Sequence, residues 1–201
     1  MRVIRGTIAA FALAGALPGG AAAAAEPSFD CSGVDESSAE AMICSDEALA
    51  ALDREVARLY AKIEAQTTAE DFRTIRTYQR GWIKGRNEAW KAADPRLHIE
   101  TAYRDRIAVL SVQAGEVEVP PAVSYKCDGG EFEALTAVFY DTEPPVGVFT
   151  RTPGGDWPQY IAAGWDEDGA VHYNIGGLDF IEREGVAEMI WAGQPMRCAR
   201  R

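Results

Sequence analysis

The sequence is poor in the residues and motifs that most catalytic and metal-binding sites require. It contains only two histidines, His98 and His172, without a ligand pattern around them, and its four cysteines show no C-x-x-C spacing. Both features argue against a zinc site. The chain also lacks a glycine-rich phosphate loop and a G-x-S-x-G motif, which argues against a nucleotide-binding loop and a hydrolase nucleophile. We therefore expect no cofactor, no metal and no enzymatic activity.

The sequence also lacks an apolar run long enough to span a bilayer. The run at residues 8–17 is short, follows two arginines and precedes the alanine stretch 21–25. This order is typical of a secretory signal peptide, here cleaved before Glu26. Because Cys31 lies beyond the cleavage point, we expect no lipid anchor. Residues 1–25 are thus predicted to be a signal peptide, and the mature protein to be periplasmic or secreted without stable membrane insertion.

Positive charge is scarce as well. The chain has 20 Lys and Arg against 31 Asp and Glu, a net charge of −11, which becomes −13 when Arg2 and Arg5 leave with the signal peptide. Such acidity argues against nucleic acid and anionic membrane surfaces as partners. It favours a basic partner, or it serves solubility alone.

Counting residues does not exclude the glycosidases that use two carboxyl groups, because the chain has many carboxylates. A catalytic pair needs one member in an apolar pocket. The acidic clusters here lie beside glycines in turn-like contexts, such as residues 166–169. We interpret them as solvated surface.

The four cysteines predict two disulfides in an exported protein. Four cysteines allow three pairings. We expect Cys31–Cys44 and Cys127–Cys198, because each pair then closes within one compositional region of the chain.

Residues 26–113 are predicted to form a small antiparallel helical domain. Helix starts are indicated at residues 45–47, at Thr67 or Thr68, and at the Asp94-Pro95 pair. Apolar residues then recur at helical spacing. The predicted buried positions are Leu49, Leu52, Val56, Leu59, Ile63, Phe72, Ile75, Trp82, Ile83, Trp90, Tyr103, Ile107 and Leu110.

A proline linker is expected at residues 114–122, since Pro120 and Pro121 end any helix and stiffen the chain. From residue 123 to residue 201 the texture changes to short β-branched and aromatic runs between glycine- and proline-containing turns. The candidate strands are 123–127, 131–140, 146–151, 157–162, 170–174, 178–182, 186–191 and 196–198. Eight short strands predict an antiparallel barrel or sandwich. Most of the aromatic residues should form its core, whereas Trp165, beside Gly164 and an acidic turn, is a candidate exposed contact.

The helical half resembles the LprI lysozyme inhibitor family over almost all of residues 30–110. The residues that carry the resemblance are Asp30, Cys31, Ile43, Cys44, Ser45, Asp46, Leu49, Leu52, Asp53, Tyr60, Gln79, Trp82, Arg86, Tyr103, Arg106, Ile107 and Leu110. Many members of that family carry another cysteine pair after the Trp/Arg segment, and this chain has none there.

The second half resembles the family of membrane-bound inhibitors of c-type lysozyme over residues 123–199. The residues that carry this resemblance are Tyr125, Lys126, Cys127, Trp157, Pro158, Gln159, Gly169, Ala170, Tyr173, Phe180, Glu184, Gly185, Ala187 and Cys198. The resemblance implies an eight-stranded barrel. The two resemblances together predict an α+β protein of two domains, a small disulfide-linked helical domain followed by an eight-stranded antiparallel β-barrel.

The second resemblance also implies competitive inhibition by the barrel. In that family a loop containing Ser-Gly and a Lys-Gly turn enter the lysozyme cleft and meet its catalytic carboxyl groups. The serine position falls here on Asp168, and the lysine position on Glu184, or on Arg183 if the turn is one residue longer. Two acids facing two acids would repel each other. The implied contact residues are Trp165, Asp168, Gly169, Ala170, Tyr173, Arg183, Glu184 and Gly185.

Two functions follow from the sequence. The first is an envelope inhibitor whose partner is a lysozyme or a related basic cell-wall hydrolase, since an acidic protein would associate faster with a basic enzyme. The second is a binding or scaffolding protein of the envelope that does not inhibit.

Overall fold

A computed structural model describes residues 26–128, 132–152 and 159–201. Its first part is helical and its second part is a closed eight-stranded antiparallel barrel, as predicted. The expected signal peptide, residues 1–25, lies outside the described residues.

The helices begin where short polar side chains bind their first backbone amides. Asp46 accepts hydrogen bonds from two amides of the next helix, and Thr68 and Asp94 cap the two long helices that follow. Pro95 occupies the first turn of the last helix, where a missing amide hydrogen costs nothing. The helices are α1 (Ala39–Ser45), α2 (Glu47–Gln66), α3 (Ala69–Arg86), a 3₁₀ helix (Asn87–Lys91) and α4 (Pro95–Gln113).

Two of the predicted buried positions are wrong. Trp90 is 75% exposed and Ile83 is also exposed. The chain leaves α-helical geometry at Asn87 and continues as a 3₁₀ helix, so the 3.6-residue periodicity that predicted burial of Trp90 no longer applies. The side chain of Lys91 lies over the exposed indole ring instead.

The barrel is a simple meander in which each strand pairs with the next and β1 closes the sheet against β8. The fourth strand ends later than predicted, and residues 157 and 158 of the predicted strand lie outside the described residues. The strands are β1 (Val123–Asp128), β2 (Ala134–Tyr140), β3 (Val146–Thr152), β4 (Tyr160–Glu167), β5 (Ala170–Ile175), β6 (Leu178–Arg183), β7 (Val186–Trp191) and β8 (Gln194–Arg200).

Strand β4 extends past residue 162 because the side chains of Val171 and Tyr173 pack closely against Gly164. A β-carbon at this position would lie 2.6 Å from Val171 and 2.7 Å from the ring of Tyr173, its cross-strand partner. Only glycine leaves room for the buried tyrosine ring there. The strand therefore continues through Gly164, two residues beyond the end at residue 162 that the sequence predicts.

Both predicted disulfides are present, Cys31–Cys44 in the helical domain and Cys127–Cys198 in the barrel. Cys127 and Cys198 face each other across the β1–β8 pair. This bond therefore ties together the two strands that close the barrel.

The two domains have separate hydrophobic cores. They are joined by residues 114–122, where Glu116 binds Arg58 and Lys62 of α2. The hydrogen bonds from these two side chains lower the pKa of Glu116 to about 2. Helix α4 also packs against β3 and β4, so the barrel rests on the helical domain by one side of its wall.

None of the helices in the described residues combines the length and apolar character that crossing a membrane requires.

Candidate functional site

The two turns singled out by the sequence lie at the same end of the barrel. In an antiparallel meander, alternate turns share an end, and the β4–β5 and β6–β7 turns are alternate ones. The linker from the helical domain enters β1 at this end too. We call the Asp168-Gly169 and Glu184-Gly185 turns together the turn pair.

Both members of the turn pair are two-residue hairpin turns with left-handed backbone at each central position. The φ angles are 54° and 80° for Asp168 and Gly169, and 52° and 80° for Glu184 and Gly185. This is the geometry of type I′ turns, which match the twist of the flanking strands. Aspartate tolerates the left-handed region better than most residues, so the turn itself accounts for Asp168. Glutamate has no such advantage, and the backbone gives no reason for Glu184.

The turn pair and the adjacent Arg183 carry charges of both signs. Asp168, Arg183 and Glu184 are all exposed. Within the described part of the chain, neither Arg183 nor Glu184 has a hydrogen-bond or ion-pair partner. The guanidinium and the carboxylate are therefore both available to a second molecule at this end of the barrel.

The remaining implied contact residues are divided between surface and core. Trp165 is 46% exposed on β4, whereas Tyr173 is buried and packs against Phe149 and Phe180. Ala170 is half-buried at the start of β5. Tyr173 can thus shape the hairpin from inside the barrel, and Trp165 is the aromatic side chain that faces outwards.

A hydrogen-bonded cluster that the sequence did not predict lies beside Trp165. His172 stacks on the Trp165 ring at 4.5 Å between centroids and bonds to Glu167 and, at 2.9 Å, to Asp179. Asn174 donates to the other oxygen of Asp179. The signal was the polar alternation along β5 and β6, which places these side chains on the outer face of the sheet.

The two carboxylates make His172 a site of pH-dependent stability. Burial disfavours its charge, but the hydrogen bonds with Glu167 and Asp179 outweigh that effect, and the pKa of His172 is raised above its usual 6.5. A raised folded-state pKa means that the stabilisation is fully present below the unfolded value and is lost as pH rises through the folded value.

We expect this contribution to the unfolding free energy to decrease as the pH rises above about 6.5, and a His172→Gln variant to lack it. Urea unfolding at a series of pH values measures both. An NMR titration of the parent assigns the proton, since His98 is the only other histidine and its signal persists in the variant. Identical pH profiles of stability for parent and variant would contradict the role of His172.

The helical domain is organised around a buried polar network. Arg86 and Asp53 are each only 5% exposed, and both bond to the hydroxyl group of Tyr103 at 2.7 Å. Ser28 donates its amide and hydroxyl hydrogens to Asp53. The guanidinium of Arg86 also lies over the ring of Trp82.

Most residues of the LprI pattern are therefore buried or partly buried in the domain. Asp53, Trp82, Arg86 and Tyr103 belong to this network, and Gln79 bonds Arg106 between α3 and α4. These residues specify how the helices pack, so the helical pattern identifies a fold and does not by itself mark a contact surface.

Comparison with known proteins gives the same assignment for this half. Residues 31–114 match the model of the family described as "Lysozyme inhibitor LprI". The curated relatives include "Lipoprotein LprI" of Mycobacterium bovis and of two strains of Mycobacterium tuberculosis. Each is 22% identical over 160 residues, covering 78% of this chain and 76% of the relative. No solved structure matches the chain significantly.

The similarity to these relatives extends beyond the helical domain. An alignment that covers 78% of the chain is longer than all the residues up to residue 114, so it reaches into the barrel. The comparisons do not name the c-type lysozyme inhibitor family for the barrel, and that resemblance stays a prediction. Residues 31–114 thus match the family model of lysozyme inhibitor LprI, and the chain is similar to LprI proteins over most of its length.

Proposed function

We propose that this protein is a periplasmic or secreted, non-enzymatic inhibitor of lysozyme that acts by placing the turn pair in the enzyme's cleft. The observation that carries the proposal is the match of residues 31–114 to the lysozyme inhibitor family. The barrel supplies the contact surface, because its two exposed turns lie at one end, whereas most residues of the LprI pattern are buried or partly buried.

The charges of the chain suit a basic target. A net charge of −11 for the whole sequence would speed the encounter with a positively charged lysozyme. At the end of the barrel, Arg183 supplies a cation directly before the Glu184-Gly185 turn. It is the group that would meet a carboxylate of the cleft, because a guanidinium forms charge-assisted hydrogen bonds with carboxylates.

A lysis assay tests the proposal directly. We expect the purified mature protein with both disulfides formed to inhibit c-type lysozyme on a cell-wall suspension at near-stoichiometric ratio. Inhibition should weaken as salt increases, because the long-range attraction is screened. The same protein after reduction and alkylation is the control for non-specific effects. Full lysozyme activity at a tenfold excess of the folded protein would reject inhibition of this enzyme class.

One observation favours the second candidate, a binding protein of the envelope that does not inhibit. Asp168 and Glu184 place negative charge where the resembling family has serine and lysine, and these charges oppose a cleft lined by carboxylates. In that case the protein would retain an envelope partner in affinity capture and leave lysozyme activity unchanged.

A further inference from the structure

A large cleft separates the helical domain from the barrel. It has a volume of about 1140 Å³, with α3 and α4 forming one wall and β4 and β5 forming the other. Sites for small molecules usually enclose about 300–1,000 Å³, so this cleft has room for more than a single sugar-sized ring. Neither domain alone contains it.

Each wall of the cleft carries a large exposed aromatic side chain. Tyr78 of α3 is 51% exposed, and Trp165 of β4 is 46% exposed. Aromatic rings left open to solvent on both walls provide apolar faces on either side of a bound molecule.

The ring of Trp165 is held in place before anything binds. His172 stacks on it, and Glu167 and Asp179 fix the imidazole from two sides. A side chain with this support loses little conformational entropy when a ligand stacks on it, which favours affinity.

Polar groups without partners line the helical wall. Asp105 has no hydrogen-bond or ion-pair partner among the described residues, and burial raises its pKa. The Nη2 atom of Arg106 and the Oε1 atom of Gln113 are likewise buried without a hydrogen bond to any described residue. Burial lowers the pKa of Arg106 to about 10. Unmet groups of this kind cost free energy unless a bound molecule satisfies them.

The lining of the cleft limits the chemistry of a molecule that could bind there. A bound molecule can donate to Asp105 and present apolar faces to Tyr78 and Trp165. The unpaired atoms of Arg106 and Gln113 have almost no accessible surface, so they reach it only if their side chains turn towards the cleft. An anionic acyl chain fits poorly, because it offers no donor and would meet the uncompensated Asp105. An amide group beside a sugar ring fits well, since its N–H donates, its carbonyl accepts and its methyl group packs on the aliphatic lining.

We propose that this cleft binds a neutral oligosaccharide that carries N-acetyl groups, with Trp165 and Tyr78 stacking on its rings. The site uses both domains and does not depend on lysozyme binding. It gives the helical domain a second role besides carrying the barrel.

The test uses the full mature protein and tri-N-acetylchitotriose, without lysozyme. We expect saturable binding by calorimetry and a change in tryptophan fluorescence. Trp165→Ala should weaken binding about tenfold or more, whereas Trp165→Phe should retain most of it because an aromatic face remains. Trp90→Ala is the matched control, since Trp90 is an exposed tryptophan that does not line the cleft.

Two further variants address the helical wall. Tyr78→Ala and Asp105→Ala should each weaken binding severalfold, with far-UV circular dichroism and melting temperature as checks that the variants are folded. The proposal is overturned if the folded parent does not bind the trisaccharide. It is equally overturned if all the cleft variants bind like the parent, or if decanoate binds in the cleft and the sugar does not.

Discussion

Replacing Asp53 with alanine is expected to lower the unfolding free energy of the helical domain by about 3–5 kcal/mol, among the largest losses that one substitution in this protein would cause. Asp53 accepts hydrogen bonds from Ser28 and Tyr103 and lies 3.6 Å from Arg86. Without it, the one carboxylate left beside the buried guanidinium of Arg86 among the described residues is Glu40, at 3.4 Å, which is partly exposed and therefore compensates the charge less well. The cost comes mostly from leaving a buried charge without its compensating partner.

A double-mutant cycle separates this effect from ordinary truncation. Arg86→Met removes the charge that Asp53 compensates, so the double variant should be less destabilised than the sum of the two single variants by at least about 1 kcal/mol. Glu64→Ala is the control on the same helix, because its ion pair with Arg76 is exposed and should contribute under about 0.5 kcal/mol. Urea unfolding followed at 222 nm reports the helices. Additive effects would show that the network is not coupled.

The sequence predicts those parts of the fold that depend on local chemistry. Asp46, Thr68 and Asp94 begin helices because their own side chains bind the next free amides, and the disulfide pairs follow from two compositional regions. The prediction that Trp90 is buried is wrong, also for a local reason. Its apolar character predicts burial only while α-helical spacing continues, and the 3₁₀ segment that ends the spacing carries no strong sequence signal.

The candidate site is predictable in part for the same physical reason. The Asp-Gly and Glu-Gly pairs indicate tight turns, and alternation of strands then places them at one end of the barrel. The His172 cluster depends on the register of three strands, and the cleft depends on how α4 lies against β4. Polar alternation indicates the outer face of the strands, but neither the strand register nor the packing of α4 on β4 leaves a pattern in a single sequence.

Truncation of Arg183 to alanine should weaken lysozyme inhibition by about 2–5 kcal/mol, a rise of roughly thirtyfold or more in the inhibition constant, if this side chain pairs with a carboxylate in the cleft. The parent's stability should change little, because Arg183 is exposed and has no partner among the described residues. Arg197→Ala is the matched control, an exposed arginine on the wall of the same barrel. Equal inhibition by the two alanine variants would remove Arg183 from the interface.

Charge changes at the other two positions should act in the opposite direction. Glu184→Lys turns a repulsive contact into an attractive one and keeps a long side chain in the same left-handed turn, so inhibition should improve, by less than the loss in the Arg183 variant. Asp168→Asn removes a charge and keeps a residue that tolerates a φ of 54°, whereas serine at this position would add backbone strain to the comparison.

If both acids are merely solvated turn residues, each substitution should change binding by less than about 0.5 kcal/mol. Improvement in these two variants together with loss in Arg183→Ala would support a weakened inhibitor acting through the turn pair. Absence of inhibition in the parent and in all three variants would leave the non-inhibitory binding protein as the better account of the barrel.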